Sequence, residues 1–304
     1  MTDSSAYIRQ TTFGTLVDFL AGSLSLPTGI ITAGVLTRKL GPEDYGLLST
    51  VVVMIVWVEI AVSVGFNRSL IHFVAEKAEW PKIGSVLQMQ LLVSLIAAGL
   101  LAAFSGLVAG ALHSSELSIY LCLFCLDIPL FTLGVNHKSI LVAQGRYMQR
   151  ALLTAVFWLS RMVLIVLLVS LEPTVTFAII AFIGASLIVL ILARLMVRPP
   201  FFPIRIIYFN SLWHFAWPLF LFTVGITTFR NIDLVLVKAF DPSGQSTGFY
   251  AAAKNLTLIL GLYTASFSPL LQSKLAELAA AGRRKAAQAL LGNSLRLTIC
   301  MLPL

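Results

Sequence analysis

Apolar runs of about 20 residues follow one another along this chain, separated only by short polar breaks. A run of that length spans the hydrocarbon core of a bilayer as a helix. Within lipid, backbone N–H and C=O groups find partners only in helices or closed barrels. The alternation of apolar and polar residues that marks a barrel strand is absent, so the chain reads as all-α and polytopic. Composition agrees, with 58% hydrophobic and 11% charged residues against roughly 25% charged in soluble domains. The start, MTDSSAYIRQTTFG, lacks the short apolar region and small-residue cleavage site of a secretory leader, so the first apolar segment is expected to be a retained helix.

Charged and Pro/Gly positions divide the chain into helices expected at 13–37, 46–71, 84–112, 117–142, 149–171 and 174–196. A basic segment at 198–210 follows, and its Pro199, Pro200 and Pro203 cannot sit inside a regular helix. Further helices are expected at 211–239 and 247–272, with a ninth opening near 287. This predicts one complete six-helix bundle over 1–197, a linker over 198–210, and the start of a second bundle over 211–304. Two stretches, 36–76 and 236–278, repeat one design. Each has a basic residue at a helix end and a Pro-containing hairpin (Pro42, Pro242). A Gly-aromatic element (Tyr45-Gly46, Gly248-Phe249-Tyr250) then opens a long apolar helix. Such repetition in so apolar a chain is the mark of a transporter built from two related bundles.

With the N-terminus in the cytoplasm, the inner segments hold Arg9, Arg68, Lys77, Lys82, Lys138, Arg146, Arg150, Arg194, Arg198, Arg205, Lys274, Arg283, Arg284 and Lys285. The other side holds Arg38, Lys39 and Lys238. The positive-inside rule therefore predicts a cytoplasmic N-terminus. The same distribution accounts for the net charge of +8 without nucleic acid. Cys122 and Cys125 form a CxxC inside an apolar helix, where small packed residues are the simpler reading. The histidines have no metal-ligand spacing and no phosphate-binding loop is present, so no metal, cofactor or ATP hydrolysis is expected.

Ionisable residues within the apolar segments carry the chemistry: Asp18, Glu59, Asp127, Arg161, Arg230, Asp233, Lys254 and Arg296. Each costs about 2.5–3.5 kcal/mol at a helix centre, so such groups face a bundle interior or an aqueous path. The plainer reading for each is snorkelling to an interface or a structural ion pair. Arg230 and Asp233 are three apart on one face and can pair, with Asn231 between them.

The run RKLGPEDYGLLS at 38–49 resembles the first hairpin of bacterial polysaccharide flippases, members of the multidrug/oligosaccharidyl-lipid/polysaccharide exporter superfamily. The runs FRNIDLVLVK at 229–238 and GFYAAAKNL at 248–256, with Arg230 and Asp233 in an Arg-x-x-Asp, resemble the seventh and eighth helices of the same family, and Pro269 fits as well. The resemblance implies two six-helix bundles that rock about a central cavity, so this chain ends inside the second. It implies transfer of a lipid-linked oligosaccharide, a polyprenyl-pyrophosphate glycan, across the bacterial inner membrane for surface polysaccharide such as O-antigen of lipopolysaccharide. Partners would be that lipid, the surrounding membrane lipids and the polymerase machinery.

Under that resemblance Arg161, Arg230, Lys254 and Asn255 are expected to hold the pyrophosphate, since charge-assisted bonds are strongest where water is scarce. Asp233, Asp18, Glu59 and Asp127 are expected to couple the cycle to an ion or to form ion pairs. Gly22, Pro27, Gly29, Pro218 and Gly225 would let helices bend. A drug/cation antiporter of the same superfamily would need acids to dominate the cavity. A membrane-embedded assembly enzyme would need a catalytic cluster in a large loop, and an inactive product is the reading if the chain is truncated.

Overall fold

The computed structural model describes residues 14, 17–75, 80–198, 209–241 and 244–257, and residues 286, 288, 290–292, 294 and 296. The chain divides into two compact units, 1–252 and 253–304. Seven helices are named in the first: α1 Ser25–Ala75, α2 Trp80–Ala111, α3 Glu116–Phe124, α4 Asp127–Ala143, α5 Tyr147–Leu171, α6 Val175–Val197 and α7 Phe209–Phe240. A further helical stretch covers 245–257, and no strand occurs among the described residues. Most of the linker expected at 198–210, the eighth helix beyond 257 and most of the ninth lie outside the described residues.

Proline and glycine place the breaks. The hairpin expected between 37 and 46 shrinks to one residue, because α1 is helical on both sides of Gly41. Gly41 has φ 80° and ψ 173°, a conformation open essentially to glycine alone. Pro42 then starts the next helix, where its missing N–H costs nothing. The helix expected over 117–142 is two helices, parted at Cys125 and Leu126. Pro129 has no N–H for the carbonyl of Cys125, and its ring clashes there. Asp127 thereby becomes the first residue of α4, where the helix dipole favours a carboxylate. A turn at Leu24 precedes Pro27 in the same way.

The described helices include five stretches long and apolar enough to cross a membrane: 17–63, 83–111, 116–143, 147–171 and 175–197. The first of these contains the Gly41 kink. Along α2 the exposed side chains are Leu92, Leu95, Ile96, Leu100, Phe104 and Leu107, a helical stripe that suits lipid. Inside, α5 packs on α6, α4 on α1 and α6, and α7 on α1. Fully buried Ala178, Ala181, Ala185 and Ala193 line α6, where small side chains let helices approach closely.

Buried apolar side chains form two clusters. One gathers Leu48, Ile55, Leu117, Leu121, Ile128 and Ile165 with their neighbours. The other gathers Leu70, Val86, Leu87, Ile140, Leu153 and Val189 with theirs. Along α1, α2, α5 and α6 the chain passes from one cluster to the other across a short polar interval.

The two repeated Gly-aromatic elements meet each other. A Cβ on Gly46 would strike the Gly244 carbonyl oxygen and lie 2.7 Å from the Gly248 nitrogen. A Cβ on Gly248 would strike the Pro42 carbonyl oxygen. Each repeat thus presents a bare backbone to the hairpin of the other. Gly248→Ala should lower the melting temperature of the purified protein in detergent by several degrees, because the clash is with backbone. Gly99→Ala, with nothing within 4 Å of the added carbon, should leave it unchanged or raised, since alanine is favoured over glycine in a helix by about 0.5–1 kcal/mol.

Candidate functional site

The polar interval is a belt across the bundle. It holds Glu59 and Ser63 of α1, Gln90 and Ser94 of α2, Asp127 and Thr132 of α4, and Ser186 of α6, all buried. Arg161 of α5 lies between the same two clusters and is partly exposed. Three of the small hydroxyls satisfy themselves on their own helices. Ser63 Oγ donates to the Glu59 carbonyl at 2.5 Å, Ser94 Oγ to that of Leu91 at 2.8 Å, and Thr132 Oγ1 to that of Ile128 at 2.7 Å. The larger groups do not. Glu59 Oε1, Asp127 Oδ1 and both amide atoms of Gln90 are buried without a hydrogen-bond partner of good geometry, as is the Ser186 hydroxyl, although Glu59, Asp127 and Ser186 are close neighbours. Orphaned groups of this kind mark a place for water or an ion.

Glu59, Asp127 and Arg161 act on one another electrostatically. Yet Arg161 has no carboxylate oxygen at ion-pair distance among the described residues. Its guanidinium lies over the Phe182 ring at 3.9 Å, with Trp158 at 5.7 Å and Phe157 at 5.9 Å from the ring centres. Aromatic faces attract a desolvated cation, by about 2 kcal/mol or more. The cage is built by spacing: Phe157, Trp158 and Arg161 share a face of α5 one turn apart.

A second group sits one aromatic layer away. Arg150 at the start of α5 pairs with Asp18 at 3.0 Å. Lys138 of α4 lies near both, and its Nζ is 5.5 Å from the Phe157 ring centre. Phe131 of α4 packs on Phe157 with ring centres 5.9 Å apart. The antiparallel pair α4–α5, joined by the turn at 144–146, therefore stacks Asp127 with Arg161, then Phe131 with Phe157, then Lys138 with Arg150.

In α7, Asp233 accepts from Tyr250 Oη at 2.6 Å and from the Leu234 N–H at 2.8 Å. Arg230 is exposed, and the Asn231 amide donates to the Thr227 carbonyl at 3.1 Å. Lys254 and Asn255 belong to the second unit and are partly exposed, and Arg296 of the same unit is exposed. The structure therefore brings together Glu59, Asp127 and Arg161, places Asp18 on Arg150, and gives Asp233 a tyrosine. Sequence reasoning missed Lys138 as a member of the interior set, Gln90 and Ser186 as belt residues, and the aromatic cage. The spacings 127/131/138 and 150/157/161 carried that signal.

A family model for polysaccharide biosynthesis proteins matches residues 12–270. The chain belongs to that family. A search of the curated proteins finds no match. Among solved structures, this family member superposes on a MATE protein in the straight conformation with TM-score 0.58 and 14% identity, over 94% of this chain and 77% of that one. A MOP-superfamily transporter from Pyrococcus furiosus gives TM-score 0.58 and 14% identity, over 90% and 71%. A structure described only as protein A gives TM-score 0.65 and 14% identity, over 83% of this chain and 61% of that one. The chain thus spans less than two thirds of that protein's length. This family member is a multi-pass membrane protein with the MATE transporter fold.

If Arg161 compensates the belt carboxyls, the substitutions Arg161→Met and Asp127→Asn should not add. A double-mutant cycle on thermal stability should give a coupling of about 0.5–3 kcal/mol. Additivity would mean that the two groups are screened from each other.

Proposed function

We propose that this protein is a flippase, not an enzyme, that carries a lipid-linked oligosaccharide across the bacterial inner membrane for surface polysaccharide assembly. The observation that carries the reading is the polysaccharide biosynthesis family match over 12–270. The cargo has a pyrophosphate head, a hydrophilic glycan and an apolar tail. Arg161, Arg230 and Lys254, with Asn255, are the groups to hold the head during alternating access. Each is costly in lipid, and an anion in a water-poor path offsets that cost. Glu59 and Asp127 in the belt, and Asp233 on Tyr250, are the carboxyls to couple transport to a proton or cation. Asp18 serves its ion pair. The N-terminus is cytoplasmic in this reading, from the charge bias.

A drug/cation antiporter is the second reading, favoured by the fold shared with a multidrug resistance MATE family transporter and by the orphaned carboxyl oxygens of the belt. The two readings differ in cargo charge. In a flippase-deficient strain, the full-length gene should restore surface polysaccharide. Arg230→Gln should cut that export about ten-fold or more, since a bond to a charged group contributes about 1.5–3 kcal/mol. Arg230→Lys should keep part of it, retaining charge without the bidentate fork. Membrane-fraction protein levels must match the wild type. Efflux of a cationic dye with no restored polysaccharide would favour the antiporter instead.

A further inference from the structure

We infer that the seam between α4 and α6 holds a file of water that connects the belt to one face of the bundle and not to the other. The two helices run in the same direction, and three neighbouring pairs mark the line along which they meet. Asp127 stands beside Ser186, Gly134 faces Val189, and His137 lies near Arg194. Asp127, Gly134 and His137 recur at steps of seven and three residues, which puts them on one face of α4.

Unsatisfied polar groups stand at both ends of this line, with room between them. At the belt end, Asp127 Oδ1 and the Ser186 hydroxyl lack a partner of good geometry among the described residues. At the other end, His137 is 2% exposed. Its Nδ1–H donates to the Leu133 carbonyl at 2.8 Å. That leaves Nε2 as an acceptor, and it is buried without a partner among the described residues. Between the ends, Gly134 is buried. Yet a Cβ added there would meet one atom within 4 Å, Val189 Cγ1 at 3.9 Å. Interiors are normally filled to the density of organic crystals, so glycine here leaves a gap instead of admitting a neighbour. Polar partners and space are the two things a buried water requires. Ten residues of helix separate the ends by about 15 Å, more than one water bridges.

The file opens at the end of the bundle that carries the turn at 144–146. Arg194, partly exposed, stands there, three residues before α6 ends at Val197. Outward of the belt the seam is shut by Ile128, Ala178, Ile179 and Ala181, all fully buried. Phe124 and Phe182 close it further, meeting edge to face with ring centres 5.4 Å apart. Among the described residues, the charged groups facing the line are Glu59 of α1 and Arg161 of α5 at the Asp127 end, and Arg194 at the other. Waters in a row pass protons from one to the next, so Asp127 exchanges protons with one face alone. That this exchange drives transport rests on the coupling role proposed for Asp127; the file itself rests on the seam.

The test uses the purified full chain in phosphatidylcholine nanodiscs, with Cys122, Cys125 and Cys300 replaced by alanine. The probe is silver ion, a small hydrated cation that bonds thiols, and its thiol-dependent uptake is read by mass spectrometry. Ser186→Cys and Ala193→Cys should take up silver. Ala178→Cys, on the same helix outward of the belt and no more exposed than Ala193, should not. Adding Gly134→Ala should slow uptake at Ser186→Cys and leave Ala193→Cys unchanged, since the methyl narrows the gap between them. Uptake at Ser186→Cys as slow as at Ala178→Cys would overturn the file, because the seam is then dry. Uptake at Ser186→Cys that ignores Gly134→Ala would overturn it too, because water then arrives by another route. Equal uptake at Ala178→Cys would remove its one-sidedness. Hydroxyl-radical labelling needs no substitution. It should mark His137 and spare Phe124, each 2% exposed, and equal labelling of the two would count against the file. Silver at Ser186→Cys with no polysaccharide restored by the wild type removes the flippase and keeps the file. Restored polysaccharide with a dry seam does the reverse.

Discussion

A cation inside a membrane bundle has to be compensated by the protein, because lipid supplies neither water nor counter-ion. Arg161 meets that requirement in two ways at once. Aromatic faces from α5 and α6 take its plane, and the carboxyls of α1 and α4 take its charge at longer range. Four helices are thereby tied to one side chain. The belt follows from this, since Glu59 and Asp127 would be far costlier where no opposite charge is near. The two apolar clusters are what remains of the core on either side.

The fold was largely legible in the sequence. Apolar length gave the membrane helices, and the two Gly-aromatic elements that stand out in the sequence are ones that meet in the fold. Proline chemistry is legible too. The pair Asp127 and Pro129 announces a helix start, and the structure breaks there. The directions in which helices face were not legible. In a soluble helix the polar side marks the solvent. Here lipid and protein interior are both apolar, so Leu100 and Leu101 look alike in sequence although one is exposed and the other packs on the core.

The candidate site was half legible for the same reason. Ionisable residues stand out against an apolar background, so Glu59, Asp127 and Arg161 were found one by one. Their assembly was not, because it depends on which helices touch. Lys138 stands near a helix end in the sequence, where a lysine usually reaches the interface. Its contact with Phe157 could be foreseen only by pairing the α4 and α5 spacings. Tyr250 as the partner of Asp233 lay hidden in a residue chosen for its place beside a glycine.

The meeting of Gly46 with Gly248 has a consequence for motion. A contact between bare backbones freezes no rotamers, so making or breaking it changes side-chain entropy hardly at all. Two surfaces of that kind could part and rejoin without a repacking step.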